Sequence, residues 1–249
     1  MRPRRSHLDC HPTGRTNAQD EPRRLHSLRA SMILAIIQAR MGSTRLPGKT
    51  MKPFGDTSVI RYMIERVEQS KLIDLTVVAT SINKENDVLV NHLADYETYR
   101  GQENDVLSRF YEVAQRYQPN LVVRLTADCP FIDPQLIDQV IQQTIDADAD
   151  YGSNINPATY PDGIDVEVFT YQALETAAQQ ATNPYDLEHV TPYIREHAQN
   201  QTNLQNDTDY RYIRWTLDTS EDYENLSQMV QLFDHNRFTW KQMLDKVQV

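Results

Sequence analysis

Ile33-Leu34-Ala35-Ile36-Ile37-Gln38-Ala39-Arg40-Met41-Gly42-Ser43-Thr44-Arg45-Leu46-Pro47-Gly48-Lys49-Thr50 is an apolar run that breaks into a loop rich in Gly, Ser, Thr, Arg and Lys. The run is short, branched and uninterrupted, which fits a parallel strand covered on both faces. Periodicity alone would fit a buried helix segment equally well, and the loop that follows decides for a strand. Pro47-Gly48 supplies a tight turn, because Pro presets φ and Gly takes the positive φ that the next position of a type II turn requires. Around it stand Arg40, Arg45 and Lys49, three cations on a segment whose backbone N–H groups can also face an anion. A charge cluster is usually just a solvated surface. Three cations at one strand end in an acidic chain instead predict a loop that holds polyphosphate.

Ser43 to Thr50 reads S-x-x-x-x-G-K-T, one residue from the P-loop pattern G-x-x-x-x-G-K-[ST]. The first Gly is missing, Gly42 lies one place too early, and Pro47 withdraws an amide where a P-loop would cradle phosphate. The P-loop reading is therefore set aside.

Outward from this loop, apolar spacing predicts a helix from an Asp56-Thr57-Ser58 cap to about Ser70, a strand at Leu75–Thr80, a helix over Glu85–Asp95 and a strand at Thr98–Arg100. Next come a helix capped at Asn104 or Asp105, a strand at Leu121–Thr126 and a helix opened by Asp133-Pro134. This alternation is the signature of a parallel α/β sheet. Gly163–Val168 then alternates strictly, predicting a half-exposed strand with Ile164, Val166 and Val168 inward and Asp165 and Glu167 outward. Helices are expected at Tyr171–Gln180 and Pro184–Ala198, a return to the sheet at Tyr212–Leu217, and two amphipathic helices at the end. Residues 1 to 31, with seven arginines and little apolar periodicity, are expected to be disordered.

The 249 residues carry a net charge of −10, which speaks against a nucleic-acid-binding face. No apolar run approaches the ~20 residues of a membrane span. Two cysteines, Cys10 and Cys129, lack metal-ligand spacing, so a reducing, cytoplasmic setting is expected.

The opening motif I-I-Q-A-R-x-G-S-T-R-L-P-G-K resembles the signature of the cytidylyltransferases that make CMP-activated sugars, the acylneuraminate and 3-deoxy-manno-octulosonate enzymes and, more nearly, the spore-coat polysaccharide proteins. Arg124-Leu125-Thr126-Ala127-Asp128-Cys129-Pro130, Tyr160 to Phe169, Glu188 to Ile194 and Arg214-Trp215-Thr216-Leu217-Asp218 extend the likeness from Met32 to the C-terminus. The resemblance implies one Rossmann-like nucleotidyltransferase domain over residues 32–249. Its sheet would be mostly parallel, with an inserted dimerisation lobe at about 151–200. It also makes Met32 the expected start of the protein.

In an open parallel sheet, ligands gather beyond the carboxyl ends of the strands. The loop, Asp128 and Asp218 all fall at such ends. Two carboxylates beside a triphosphate suit Mg²⁺, a hard ion usually held by one or two carboxylates plus phosphates. Both could instead cap helices, but Asp133 and Ser220 stand nearby for that purpose.

The expected reaction is transfer of CMP from CTP to a sugar acid or sugar phosphate, with Arg40, Arg45 and Lys49 balancing phosphate charge. Gln38, Ala39, Gly42, Gln102 and Asn104 would join these three around the nucleotide. Asn154, Asp165 and Glu167 would face the acceptor, although the last two could equally form a metal pair or a solvated surface. His189 beside Glu188 suggests acid–base work but reads first as a helix-surface or packing residue, and Cys129 as a small packed thiol near the site. A homodimer is expected, with Tyr160, Tyr171, Tyr185 and Tyr193 as anchors. The rivals are a nucleotide-sugar glycosyltransferase, which would usually show Asp-x-Asp, and a non-catalytic nucleotide binder, which would most naturally lose Lys49 or an Asp.

Overall fold

The structure is a computed structural model that describes residues 32–247; the expectation for residues 1 to 31 lies outside them. In chain order the elements are β1 (Ile33–Gln38), β2 (Pro53–Phe54), β3 (Thr57–Ser58), α1 (Val59–Val67), β4 (Leu75–Ser81), α2 (Asp87–His92), β5 (Thr98–Gly101), α3 (Val106–Tyr117), β6 (Leu121–Thr126) and α4 (Pro134–Asp146). They continue with β7 (Tyr151–Ser153), β8 (Glu167–Thr170), α5 (Tyr171–Gln180), α6 (Pro184–His189), α7 (Thr191–His197), β9 (Gln201–Asn203), α8 (Ser220–Val230) and α9 (Trp240–Val247).

Among the described residues a seven-stranded sheet runs in the order β5-β4-β1-β6-β8-β7-β9. β1 is an interior strand, third in that order and parallel to both β4 and β6, which is why its run has no polar position until Gln38. Ala35 and Ile37 pack with Met63 of α1 and Ile141 of α4 on one face, and Leu34 and Ile36 with Leu107 and Phe110 of α3 on the other. Helix starts fall where hydrogen-bonding side chains allow: Ser58, Asp105 and Asp133 each accept an amide of the first turn.

Three expectations are corrected. Glu85–Asp95 is a 3-10 turn, Lys84–Asn86, followed by the short α2. Gly163–Val168 is not a half-exposed strand: β8 begins only at Glu167 and is paired on both edges, antiparallel to β6 and β7, so Glu167 is 3 % exposed. Within residues 151–200, β7 and β8 are strands of the main sheet. Tyr212–Leu217 does not rejoin the sheet; its backbone bonds run to loops, Trp215 N–H to the Asp162 carbonyl (2.6 Å) and Leu217 N–H to the Asp128 carbonyl (2.8 Å).

The segment nevertheless packs as a strand would, with alternate residues facing one way. Ile213, Trp215 and Leu217 enter a third apolar cluster with Leu46, Phe54 and Tyr160, which leaves Arg214 and Asp218 on the opposite side.

Candidate active site

The loop after β1 is fixed by its own backbone and by one distant side chain. Gly48 N–H donates to the Met41 carbonyl at 3.2 Å, and Gly48 adopts φ 66°, the left-handed conformation the Pro-Gly turn requires. Asn86, in the turn after β4, accepts the Met41 amide at 2.9 Å.

The loop thereby carries Lys49 to the ends of two other segments. Its Nζ donates to Asp128 Oδ2 (3.0 Å), to Asp218 Oδ1 (2.9 Å) and to the Leu217 carbonyl (2.8 Å). Arg45 lies 3.2 Å from Asp218 Oδ1, and Arg214 donates to Asp218 Oδ2 at 2.9 Å. Burial would raise the Asp218 pKa, but the hydrogen bond and charge of Lys49, then Arg214 and Arg45, leave it below the usual carboxylate value. Neither aspartate caps a helix: Asp133 caps α4, and Thr219 rather than Ser220 caps α8.

These groups line a cleft of about 320 Å³ over the carboxyl ends of β1 and β6. Of the residues named from sequence it gathers Gln38, Ala39, Arg40, Arg45, Lys49, Asp128 and Asp218. Gln102 and Asn104 lie in an adjoining recess of about 560 Å³ that shares Arg40 and Glu188 with the cleft, and Glu103 between them holds Arg40 at 3.3 Å. Gly42 lines neither cavity.

The three residues expected to face the acceptor are placed differently. Asn154, 1 % exposed, braces the chain by donating to the Ile164 carbonyl (3.0 Å) and accepting the Val166 amide (2.8 Å). Glu167 is paired with Arg124 and accepts from the Tyr151 hydroxyl at 2.6 Å. Asp165 is not engaged in this way. Burial, then the like charges of Asp162, Glu167 and Asp128, push its pKa up to about 7.

Sequence reasoning left out Arg109, and it gave His189 no place in the cleft; both line it. The signal for Arg109 was present, a lone cation in the apolar stripe of Val106, Phe110 and Val113 on α3. Cys129 is a free, buried thiol whose pKa is raised by burial and by Asp128, which makes it a poor nucleophile.

For a divalent ion the donor set fits at Asp128. Its Oδ2 meets Lys49, and among the described residues its Oδ1 touches only the Cys129 thiol, at 3.7 Å. The crowded negative charge that raises Asp165 includes Asp128, and a cation would relieve it. Asp218 is less available, since cations occupy both of its oxygens. No group of three or more His, Cys, Asp or Glu is poised for a metal among the described residues, so ligand phosphates would have to complete the shell.

A cytidylyltransferase family model matches residues 34–247. The chain is 39% identical over 210 residues to the spore coat polysaccharide biosynthesis protein SpsF of Bacillus subtilis (strain 168), covering 80% of this chain and 86% of that protein. Against the 3-deoxy-manno-octulosonate cytidylyltransferase of Syntrophotalea carbinolica it is 32% identical over 109 residues, 44% of each chain. A solved cytidylyltransferase from Leptospira borgpetersenii superposes with a TM-score of 0.83 at 32% identity, covering 88% of this chain and 94% of that one. A CMP:2-keto-3-deoxy-manno-octonic acid synthetase solved with CTP shares the fold, with a TM-score of 0.62 at 17% identity over 82% of this chain and 100% of that one.

Proposed function

This chain belongs to the cytidylyltransferase family, and on that premise we propose that it transfers CMP from CTP to a sugar acid or sugar phosphate, releasing pyrophosphate, in the making of a surface polysaccharide. The observation that carries this reading is Lys49, which reaches from the loop to both Asp128 and Asp218 and so gathers three distant segments around one cleft.

The acceptor oxygen attacks the α-phosphorus in line with the departing pyrophosphate, so catalysis rests on positioning and on charge balance. Arg40 and Arg45, 48 % and 65 % exposed along their side chains, would turn from Glu103 and Asp218 onto phosphate oxygens in two-point contacts. Lys49 supplies a point charge whose place is set by its three acceptors. Asp128 would hold Mg²⁺, with Asp218 joining if it releases its arginines. When bound, the ion would act as Lewis acid and template for the phosphates.

The same reading expects a homodimer. Tyr160 is not available to it, being buried against Trp240, whereas Tyr185 is 57 % exposed on α6. Sedimentation velocity at micromolar concentration checks this, and a fully active monomer would exclude it. No helix among the described residues is long and apolar enough to cross a membrane. A cytoplasmic setting is part of the proposal and agrees with the free Cys129 thiol.

The decisive experiment incubates the protein with each of CTP, UTP, ATP and GTP, Mg²⁺ and a panel of sugar acids and sugar phosphates, and measures pyrophosphate. Release with CTP and one acceptor class supports the reading, and no release with any pair refutes it.

A further inference from the structure

Arg109 sits in the first turns of α3, in the stripe that packs on the sheet, and only 2 % of it is exposed. It nevertheless lines the cleft. Its Nε and Nη1 have no hydrogen-bond partner among the described residues, and it takes no part in the ion pairs that hold Arg40, Arg45 and Lys49. A guanidinium stays charged at neutral pH, and burying it is costly unless its charge and N–H groups are met.

Arg66, the other buried arginine among the described residues, shows how this fold satisfies one that serves structure. Arg66 donates to the carbonyls of Ile132, Asn236 and Phe238 at 2.7, 2.6 and 2.9 Å. Half-buried Arg124 leaves its Nε unpartnered among the described residues but has its charge met by Glu167. Arg109 has no such arrangement, yet the backbone is shaped to admit it: a Cβ on Gly101, the last residue of β5, would lie 2.5 Å from Arg109 Cγ. Glycine at that strand end lets the arginine stem pass. A second orphan lies on the same side of the sheet. Gln38 Oε1, two and four residues beyond the α3-facing Ile36 and Leu34, is buried in the cleft without a partner among the described residues.

We infer that Arg109 is an oxyanion receptor of the cleft, whose hydrogen bonds are completed only by a phosphate or carboxylate oxygen of the ligand. The inference rests on the proposed reaction for the identity of that ligand, and two sources fit: the triphosphate of CTP and the acid group of the acceptor. The arginine meets the requirement of either, because its planar fork gives two parallel donors to one oxyanion.

The test compares the full-length protein with Arg109→Gln and Arg109→Lys by calorimetric titration with pyrophosphate, CTP, cytidine and a panel of sugar acids, alongside thermal unfolding of the empty protein. If the oxyanion is phosphate, Arg109→Gln weakens pyrophosphate and CTP by about 10- to 100-fold, the range for hydrogen bonds to a charged group, and leaves cytidine unchanged. If it is the acceptor's acid group, pyrophosphate and CTP are unaffected and binding of the sugar acid falls by the same factor. In both cases Arg109→Lys loses less, and the empty Arg109→Gln protein melts no lower than the wild type.

The inference is overturned if Arg109→Gln binds every ligand as the wild type does, if cytidine weakens in step with CTP, or if the melting temperature falls with affinities unchanged. Should Arg109→Gln not fold, Gly101→Ala displaces the stem instead and must show the same ligand-selective loss. Wild-type protein that binds pyrophosphate but not CTP would refute the cytidylyl-transfer reading and leave the pyrophosphate titration to decide the role of Arg109.

Discussion

Lys49 Nζ lies 2.9 Å from Asp218 Oδ1, although 169 residues separate them in the chain. The ammonium is the shared partner of two carboxylates that would otherwise repel each other across the cleft, so its removal alters both charge and shape.

Lys49→Ala is therefore expected to lower kcat/KM by about 100- to 1000-fold, the scale of losing one preorganised charge at a reacting centre. CTP binding should suffer more than acceptor binding, because the ammonium addresses phosphate. Steady-state kinetics with each substrate varied in turn checks this, and equal losses for both would mean that the loop has collapsed.

Asp128→Asn should leave the fold intact and remove most turnover. The change keeps volume and the possibility of a hydrogen bond to Lys49 but deletes the anionic oxygen that, among the described residues, meets only the Cys129 thiol. A Mg²⁺ titration of activity reads the result. An unaltered response would assign the metal, if one is used, to other groups.

Asp165 gives a pH signature in the presence of EDTA. Its pKa is raised to about 7 from an ordinary 3.8, so the folded protein binds more protons than the unfolded chain between those values. Stability should therefore be highest at the acid side of this window and fall as pH rises toward 7. Asp165→Asn removes that dependence and should be more stable than wild type at pH 8 by roughly 2 to 4 kcal/mol, with the two converging near pH 4. Urea unfolding of both proteins across this range tests it; parallel profiles would contradict the assignment.

Arg66→Met should destabilise by about 3 kcal/mol or more, because the three carbonyls it serves would be left buried without donors. Those carbonyls join α1 to the segment before α4 and to the approach to α9, so the loss should appear as a lower denaturant midpoint. Arg66 does not line the cleft, so ligand affinities there should remain at wild-type values in the folded protein.

The residues alone determined an interior strand of the sheet and the cationic loop, because the signals there are local. An unbroken apolar run needs cover on both faces, Pro-Gly prescribes its turn, and Asp105 and Asp133 announce helices by the hydrogen bonds only such side chains can make. The strand ends of β1 and β6 could be placed for the same reason, and with them Lys49 and Asp128.

Pairing over long range belonged to the tertiary structure. The alternation at Gly163–Val168 records which side chains point together but not what lies opposite, and the partners found on both edges of β8 turned an expected surface into core. Ile213, Trp215 and Leu217 alternate like a strand although their backbone bonds go to loops, since alternation reports burial and not hydrogen-bond partners. Asn154 and Glu167 are polar residues whose partners lie in other segments, so only the folded chain shows that these groups are already satisfied while Arg109 is not. Hydrogen-bond satisfaction depends on atoms brought together from far along the chain, and no local pattern encodes it.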